Sequence, residues 1–173
     1  MRSTLTVNVD DRHLQAAIRR ALVMLGPEGG RGLMRAAGSA LRRSTLDKFK
    51  EEGDGDSPWA PLEESTIRAR RDVRKARGEA RKRKTKSGRA RAMERAANAA
   101  GAIRILDDNG TLRRSIAAQS SATEARVGTD LFYGVFHQTG TEHMPARPFL
   151  TIADRDRRAL ATLTDKYLQR VFP

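Results

Sequence analysis

Between Arg68 and Arg95 the chain carries fourteen Arg or Lys against three acids, Asp72, Glu79 and Glu94, a net charge of +11. The segment has few apolar anchors before Met93. Such a run cannot bury a face of its own. Any core must therefore come from the sequence on either side. The whole chain of 173 residues nets +13, so the remainder is close to neutral. The pattern is an ordinary globular body with a basic insert. Charge this concentrated calls for a partner of negative sign: nucleic acid, an acidic protein face or a membrane surface. The candidate contact residues are Arg70, Arg71, Arg74, Lys75, Arg77, Arg81, Lys82, Arg83, Lys84, Lys86, Arg89 and Arg91. They could neutralise several phosphates without reading sequence, since the run holds no aromatic residue to stack on bases. The competing reading is a solvated or acid-paired helix.

The body has the length of one domain. Only eight of its residues are aromatic, so Ala, Leu, Ile and Val must fill most of the core. Leu5, Val7 and Val9 alternate with polar residues, as in a short strand with one buried face. Leu14, Ile18, Ala21, Leu22 and Leu25 recur at helical spacing until Gly26-Pro27, with Gly29-Gly30 extending the break. A second helix is expected from about Gly32 to Lys50, with Leu33, Ala37, Ala40, Leu41, Thr45 and Phe49 near one face. Residues 53–58 read as a loop, and Trp59 either plugs the edge of a core or stands out as a binding aromatic. From Ser65 the chain is expected to be helical, with Met93, Ala97, Ala100 and Ile103 restoring a weak apolar stripe. Residues 103–106 suggest a short extended piece and 107–110 a turn. Ala117–Gln119 and Glu124–Gly128 read as a hairpin, residues 132–137 as a short apolar element ending at Gly140, and Ile152–Val171 as a last helix.

The absence of cysteine excludes disulfides, thiolate metal sites and cysteine nucleophiles, and fits a reducing compartment. The N-terminal sequence suggests no leader, and the longest clean apolar run, Ala21–Leu25, is too short to span a bilayer. His137 and His143 stand six apart with Gly140 between them, unlike the four-residue spacing of a helical zinc site. A third ligand would have to be Glu142 or His13. A structural histidine near a turn is the better reading. Asp54 and Asp56 lack the other acids of a calcium loop. Neither a Gly-x-Ser-x-Gly elbow nor a phosphate-cradling glycine loop occurs. The expectation is no catalytic residue, no metal and no cofactor.

Four motifs follow one another in the chain. They are Pro-Trp-x-Pro-Leu with a later Thr (Pro58, Trp59, Pro61, Leu62, Thr66), and Gly-x-Leu-x-x-Ser-Ile (Gly110, Leu112, Ser115, Ile116). Val127-Gly128-Thr129 then leads to Tyr133, His137, Gln138 and Gly140, and Ala-Arg-Pro-Phe-Leu (Ala146, Arg147, Pro148, Phe149, Leu150) comes last. In this order the sequence resembles the phage virion morphogenesis family, which includes tail completion proteins of Mu-like and related contractile-tailed phages. It departs from the family in Thr139, where a phenylalanine or similar residue is usual, and in a longer, more basic stretch between Thr66 and Gly110.

The resemblance implies a structural virion protein of the neck or tail top, made in the host bacterial cytoplasm. Such a tail completion or terminator protein forms a ring, commonly a hexamer, that closes the tail and supports head–tail joining. Its neighbours would be tail tube or sheath and head-connector proteins, with contact to DNA in the channel and none to a membrane. Pro145 and Pro148 remove backbone freedom around Arg147, and Phe149 can anchor the segment in a pocket. The expected fold is α+β: a small, mostly antiparallel sheet packed with two N-terminal helices and a C-terminal helix. Residues 1–173 are expected to be a single tail completion domain, with 65–100 as a basic projecting insert. The alternative is a free-standing, non-sequence-specific nucleic-acid-binding protein that works through the arm. A metal-dependent nuclease is a third reading.

Overall fold

Gly26 turns the N-terminal helix back on itself. Its backbone sits at φ 65°, ψ −177° inside α1, Arg12–Glu51, and divides that element into two helical segments. An L side chain rarely adopts this φ, so glycine suits the break. Pro27 opens the second segment, where a missing N–H costs nothing. The structure, a computed structural model, describes residues 12–84 and 103–171, without the side chains of 77–84 and 171. The expected strand at Leu5–Val9 and the Met93–Ala100 stripe lie outside the described residues.

The break is one residue long rather than extending through Gly29-Gly30, which are both helical. These glycines are small because something comes close. A Cβ at Gly30 would lie 2.5 Å from the carbonyl oxygen of Ala122, and one at Gly32 would collide with the Tyr167 hydroxyl. Glycine here lets a hairpin tip and the last helix approach α1.

Two compact units divide the chain: Met1–Ala60 with Gly110–Pro173, and Pro61–Asn109. In the first, α1 is followed by α3 (Thr111–Ser115), β1 (Ala117–Ser120), β2 (Ala125–Gly128), α4 (Gly134–Thr139) and α5 (Asp154–Val171). The strands pair antiparallel in a two-stranded sheet, with Ala117 opposite Gly128 and Ser120 opposite Ala125. Ser121 closes the loop, donating its N–H to Glu124 O at 2.8 Å while its hydroxyl accepts from Glu124 N. A lone hairpin is marginal in water, and this one is supported on α1. Ala125 packs against both clusters that join α1 to α5. One holds Leu14, Ala37 and Leu160, the other Ala21, Leu33 and Met34 with Tyr167 and Leu168 at its margin. The two segments of α1 thus run back along each other, with α5 against both. The architecture is α+β, as the pattern suggested, with a sheet of two strands among the described residues. Residues 134–139, the core of the expected short apolar element, are helical.

The second unit contains α2, Glu64–Lys84, and the stretch from Ile103 to Asn109. Residues 104–107 form a turn where an extended piece was expected at 103–106. Arg104 bridges to Asp107, and Leu106 holds φ 57°. The chain therefore reverses before the Asp-Asp-Asn-Gly run.

Candidate functional site

The Arg147–Leu150 segment lies in a clasp made by residues far away in sequence. From α4, the Gln138 carbonyl oxygen accepts the N–H groups of Phe149 and Leu150, each at 3.1 Å, and its amide donates to Leu150 O at 3.1 Å. One side chain thus acts as a strand partner for two residues. Arg147 N donates to His137 O at 2.7 Å. On the other side Trp59 Nε1 donates to Pro148 O at 2.8 Å, and Arg147 Nε to Ala60 O at 2.8 Å. Gly140, at φ 77°, ends α4, its N–H returning to Phe136 O. A Cβ there would press within 2.8 Å of Ala146 N, so the glycine lets the chain double back.

Under the clasp lies an aromatic cluster. Phe49 meets Trp59 edge-on at 5.7 Å and Phe149 at 5.6 Å between centroids. Phe49 and Phe149 are fully buried, and Trp59 nearly so. Trp59 is a core plug, the first of its two expected roles. Leu112, also buried, and Thr129 surround Gly134. A Cβ on Gly134 would meet Thr129 at 2.9 Å, Phe149 at 3.6 Å and Leu112 at 3.8 Å. Ser115 Oγ donates to Leu112 O at 2.7 Å, so at 2.5 Å it accepts from the Thr129 hydroxyl, which in turn accepts Leu131 N at 3.2 Å. Residues from all four motifs therefore meet in one packed, hydrogen-bonded cluster. Pro61 and Leu62 belong to the second unit, Pro61 exposed and Leu62 half-buried. Tyr133 is half-buried, its ring edge-on to His137 at 6.0 Å.

A buried ion pair sits beside the clasp, and the sequence reading missed it. Lys48 is inaccessible to solvent; its ammonium donates to Thr151 O at 2.5 Å and reaches Asp156 Oδ2 at 3.3 Å. Asp156 also accepts from the Ser44 hydroxyl at 2.5 Å and from Ala153 N at 3.0 Å, capping α5. Burial pushes the Lys48 pKa below its ordinary 10.5, with Asp156 opposing that shift. The signal was faint: Lys48 lies one residue before Phe49 and three after Thr45, on the edge of the apolar stripe.

His137 and His143 show no convergence on a metal. His143 is exposed in the turn closed by Thr141 and Met144. Among the described residues no group of three or more His, Cys, Asp or Glu is placed to hold a metal ion. Asp54 is occupied by its own loop, accepting from Asp56 N at 2.9 Å, Ser57 N at 2.8 Å and the Ser57 hydroxyl at 3.1 Å. Burial pushes its carboxyl up, and these hydrogen bonds together outweigh that, leaving the pKa below the usual value.

The basic residues divide by role. Arg70 donates to Arg104 O at 2.9 Å, and Arg70 and Arg74 each approach Asp108 at 4.0 Å, within their own unit. Arg71 and Lys75 are exposed. Arg77, Arg81, Lys82, Arg83 and Lys84 continue the helical backbone, and Lys86, Arg89 and Arg91 lie outside the described residues. Among the described residues no helix is long and apolar enough to cross a membrane.

The arrangement has the chemistry of a fastening: donors and acceptors are matched to backbone, and aromatic rings are packed. The phage virion morphogenesis family matches residues 79–169, more than half of the chain, from within α2 almost to the end of α5. No curated protein and no solved structure gives a match.

Proposed function

The chain belongs to the phage virion morphogenesis family, and from that premise we propose that it is the tail completion or tail terminator subunit of a phage neck. Membership makes it a structural component of a phage particle. The finer reading is a ring, a hexamer in the first instance, that closes the tail and supports head–tail joining beside tail tube or sheath and head-connector proteins. The carrying observation is the clasp. The matched stretch includes Gln138, Arg147 and Phe149, and these side chains go into fixing one backbone path. A subunit that must tile with copies of itself needs that rigidity, because every flexible residue in an interface adds an ordering cost. The basic arm faces DNA in the channel or an acidic neighbouring ring.

Negative-stain imaging of the purified full chain tests this. Closed rings of one size are expected. A strictly monomeric population, alone and mixed with its virion neighbours, overturns it. The alternative, a free-standing nucleic-acid-binding protein, draws on the exposed Arg71 and Lys75 and the cations beyond them. Deleting residues 70–91 separates the two: assembly survives in the ring reading, whereas all function goes in the other.

A further inference from the structure

Among the described residues of the first unit, exposed large apolar side chains gather at two places. Phe132, Val135 and Phe136 are 70%, 38% and 45% exposed, and Val23 and Met24 are 85% and 58% exposed. Scattered single apolar residues need no explanation, but grouped ones mark contacts.

Phe132, Val135 and Phe136 form a knob. The Phe132 ring stands edge-on to Tyr133 at 5.7 Å and to Phe136 at 6.4 Å. Its base is held firmly. Gly134 N donates to Leu131 O at 2.9 Å, Leu131 N to the Thr129 hydroxyl at 3.2 Å, and Gly134 is buried beside Phe149. Exposed aromatics on a preorganised base are typical interface anchors, since little freedom remains to be lost on binding. Val23 and Met24 occupy the last turn before Gly26, and both side chains are exposed. Exposed Arg19 and Arg20 lie one turn earlier on that same surface.

The two patches lie at opposite ends of one stiff element. The knob is tied through Gly134 and Phe149 to Phe49, near the C-terminal end of α1. Val23 and Met24 precede the break at its other end. Pro27 to Phe49 is about 33 Å of helix at 1.5 Å per residue. Two separate patches of this kind suit a head-to-tail contact, the kind that generates rings. Their charges also match. Exposed Asp130 stands two residues before Phe132, and Arg19 and Arg20 flank the other patch.

We propose that the Phe132–Phe136 knob of one copy docks on the Val23–Met24 surface of the next, with Asp130 facing Arg19 and Arg20. This rests on the ring reading above and names the contact that makes the ring.

Two full-length variants test it by sedimentation velocity: Phe132→Asp with Phe136→Asp, and Val23→Asp with Met24→Asp. Each is expected to be monomeric, because each lacks one side of the contact. Mixed one to one, they retain one intact knob and one intact surface, and should form a heterodimer that grows no further. If either variant alone still forms the wild-type ring, the assignment is overturned, even where it loses adhesion to another virion protein. A mixture that stays monomeric also overturns it. If the wild type itself is monomeric, the ring reading falls and this contact with it. A gentler pair guards against loss of fold: Asp130→Arg and Arg20→Asp should each weaken association at least about tenfold, and together restore it. Failure of the double variant to recover counts against the pairing.

Discussion

Arg147 in the clasp and Arg71 on α2 carry the same guanidinium in opposite surroundings. Arg147 is 4% exposed and donates Nε to the Ala60 carbonyl. Arg71 is exposed on a helix that presents one cation after another. The clasp depends on shape and direction, so the identity of each residue there is tightly constrained. On the basic helix the exposed Arg71 and Lys75 have no such fixed direction, and either cation type supplies the same charge there. Arg70 and Arg74 stand between the two, held by Arg104 O and Asp108.

The sharpest test of this contrast is a large-to-small change in each region. Phe149→Ala removes a fully buried ring touching Phe49 and bordering Gly134, and should destabilise by about 3–5 kcal/mol. Val73→Ala, at a 47% exposed position on α2, should stay within about 0.5 kcal/mol. Urea denaturation of both variants gives the comparison. Equal losses would mean that the basic helix packs as tightly as the clasp.

Charge behaves just as differently in the two regions. Asp156→Asn leaves the Lys48 ammonium buried without its counter-ion and should cost about 3 kcal/mol. The double variant Lys48→Met, Asp156→Leu should recover most of that loss, since a buried ion pair exchanged for apolar groups is often neutral. Lys48 also sets a pH dependence. Its folded pKa lies below 10.5, chiefly through burial, so between the folded value and 10.5 the unfolded chain binds more protons. Stability must therefore rise with pH in that window through this group. Wild type should gain on Lys48→Met as pH climbs toward 10.5, measured by urea midpoints. A constant gap would mean that Lys48 titrates normally, and a shrinking one that Asp156 outweighs burial.

A smaller effect isolates geometry from charge. Arg147→Lys keeps the cation but loses the planar fork aimed at Ala60 O, and should cost about 1–3 kcal/mol. Arg71→Lys should be silent within about 0.5 kcal/mol. If both are silent, charge alone matters in the clasp as well.

The sequence made one class of structure visible and hid another. Elements written in period and punctuation were legible: the break at Gly26, the hairpin from Ala117 to Gly128 and the last helix with Leu160 on its stripe. Trp59 takes the core-plug role, one of the two its sequence context left open. What they could not show was the bonding between them. Gln138 stands next to a histidine in a polar run, and nothing local says that it pairs with two backbone N–H groups eleven and twelve residues on. Asp156, among the arginines of Asp-Arg-Asp-Arg-Arg, reads as a surface acid, because its partner Lys48 is 108 residues away. The stretch at 103–106 was misread as extended because Ile103 and Ile105 favour strands, whereas Leu106 takes a positive φ that its side chain disfavours.

The faintest expected effect concerns which cations of the arm meet a partner. Filter binding of the full chain to DNA across a salt series gives a slope set by the number of phosphates neutralised, about 0.9 per contact. Arg71→Ala and Lys75→Ala should each reduce that slope by about 0.9 if those exposed side chains reach phosphate. Arg70→Ala and Arg74→Ala should reduce it less, because these guanidiniums already lean on Asp108. Asp108→Asn sharpens the contrast: without that carboxylate, Arg70 and Arg74 become available and the slope should steepen. Equal effects at all four positions would show that the Asp108 contacts do not compete with phosphate. A flat slope in the wild type would move the partner of the arm from DNA to an acidic protein surface.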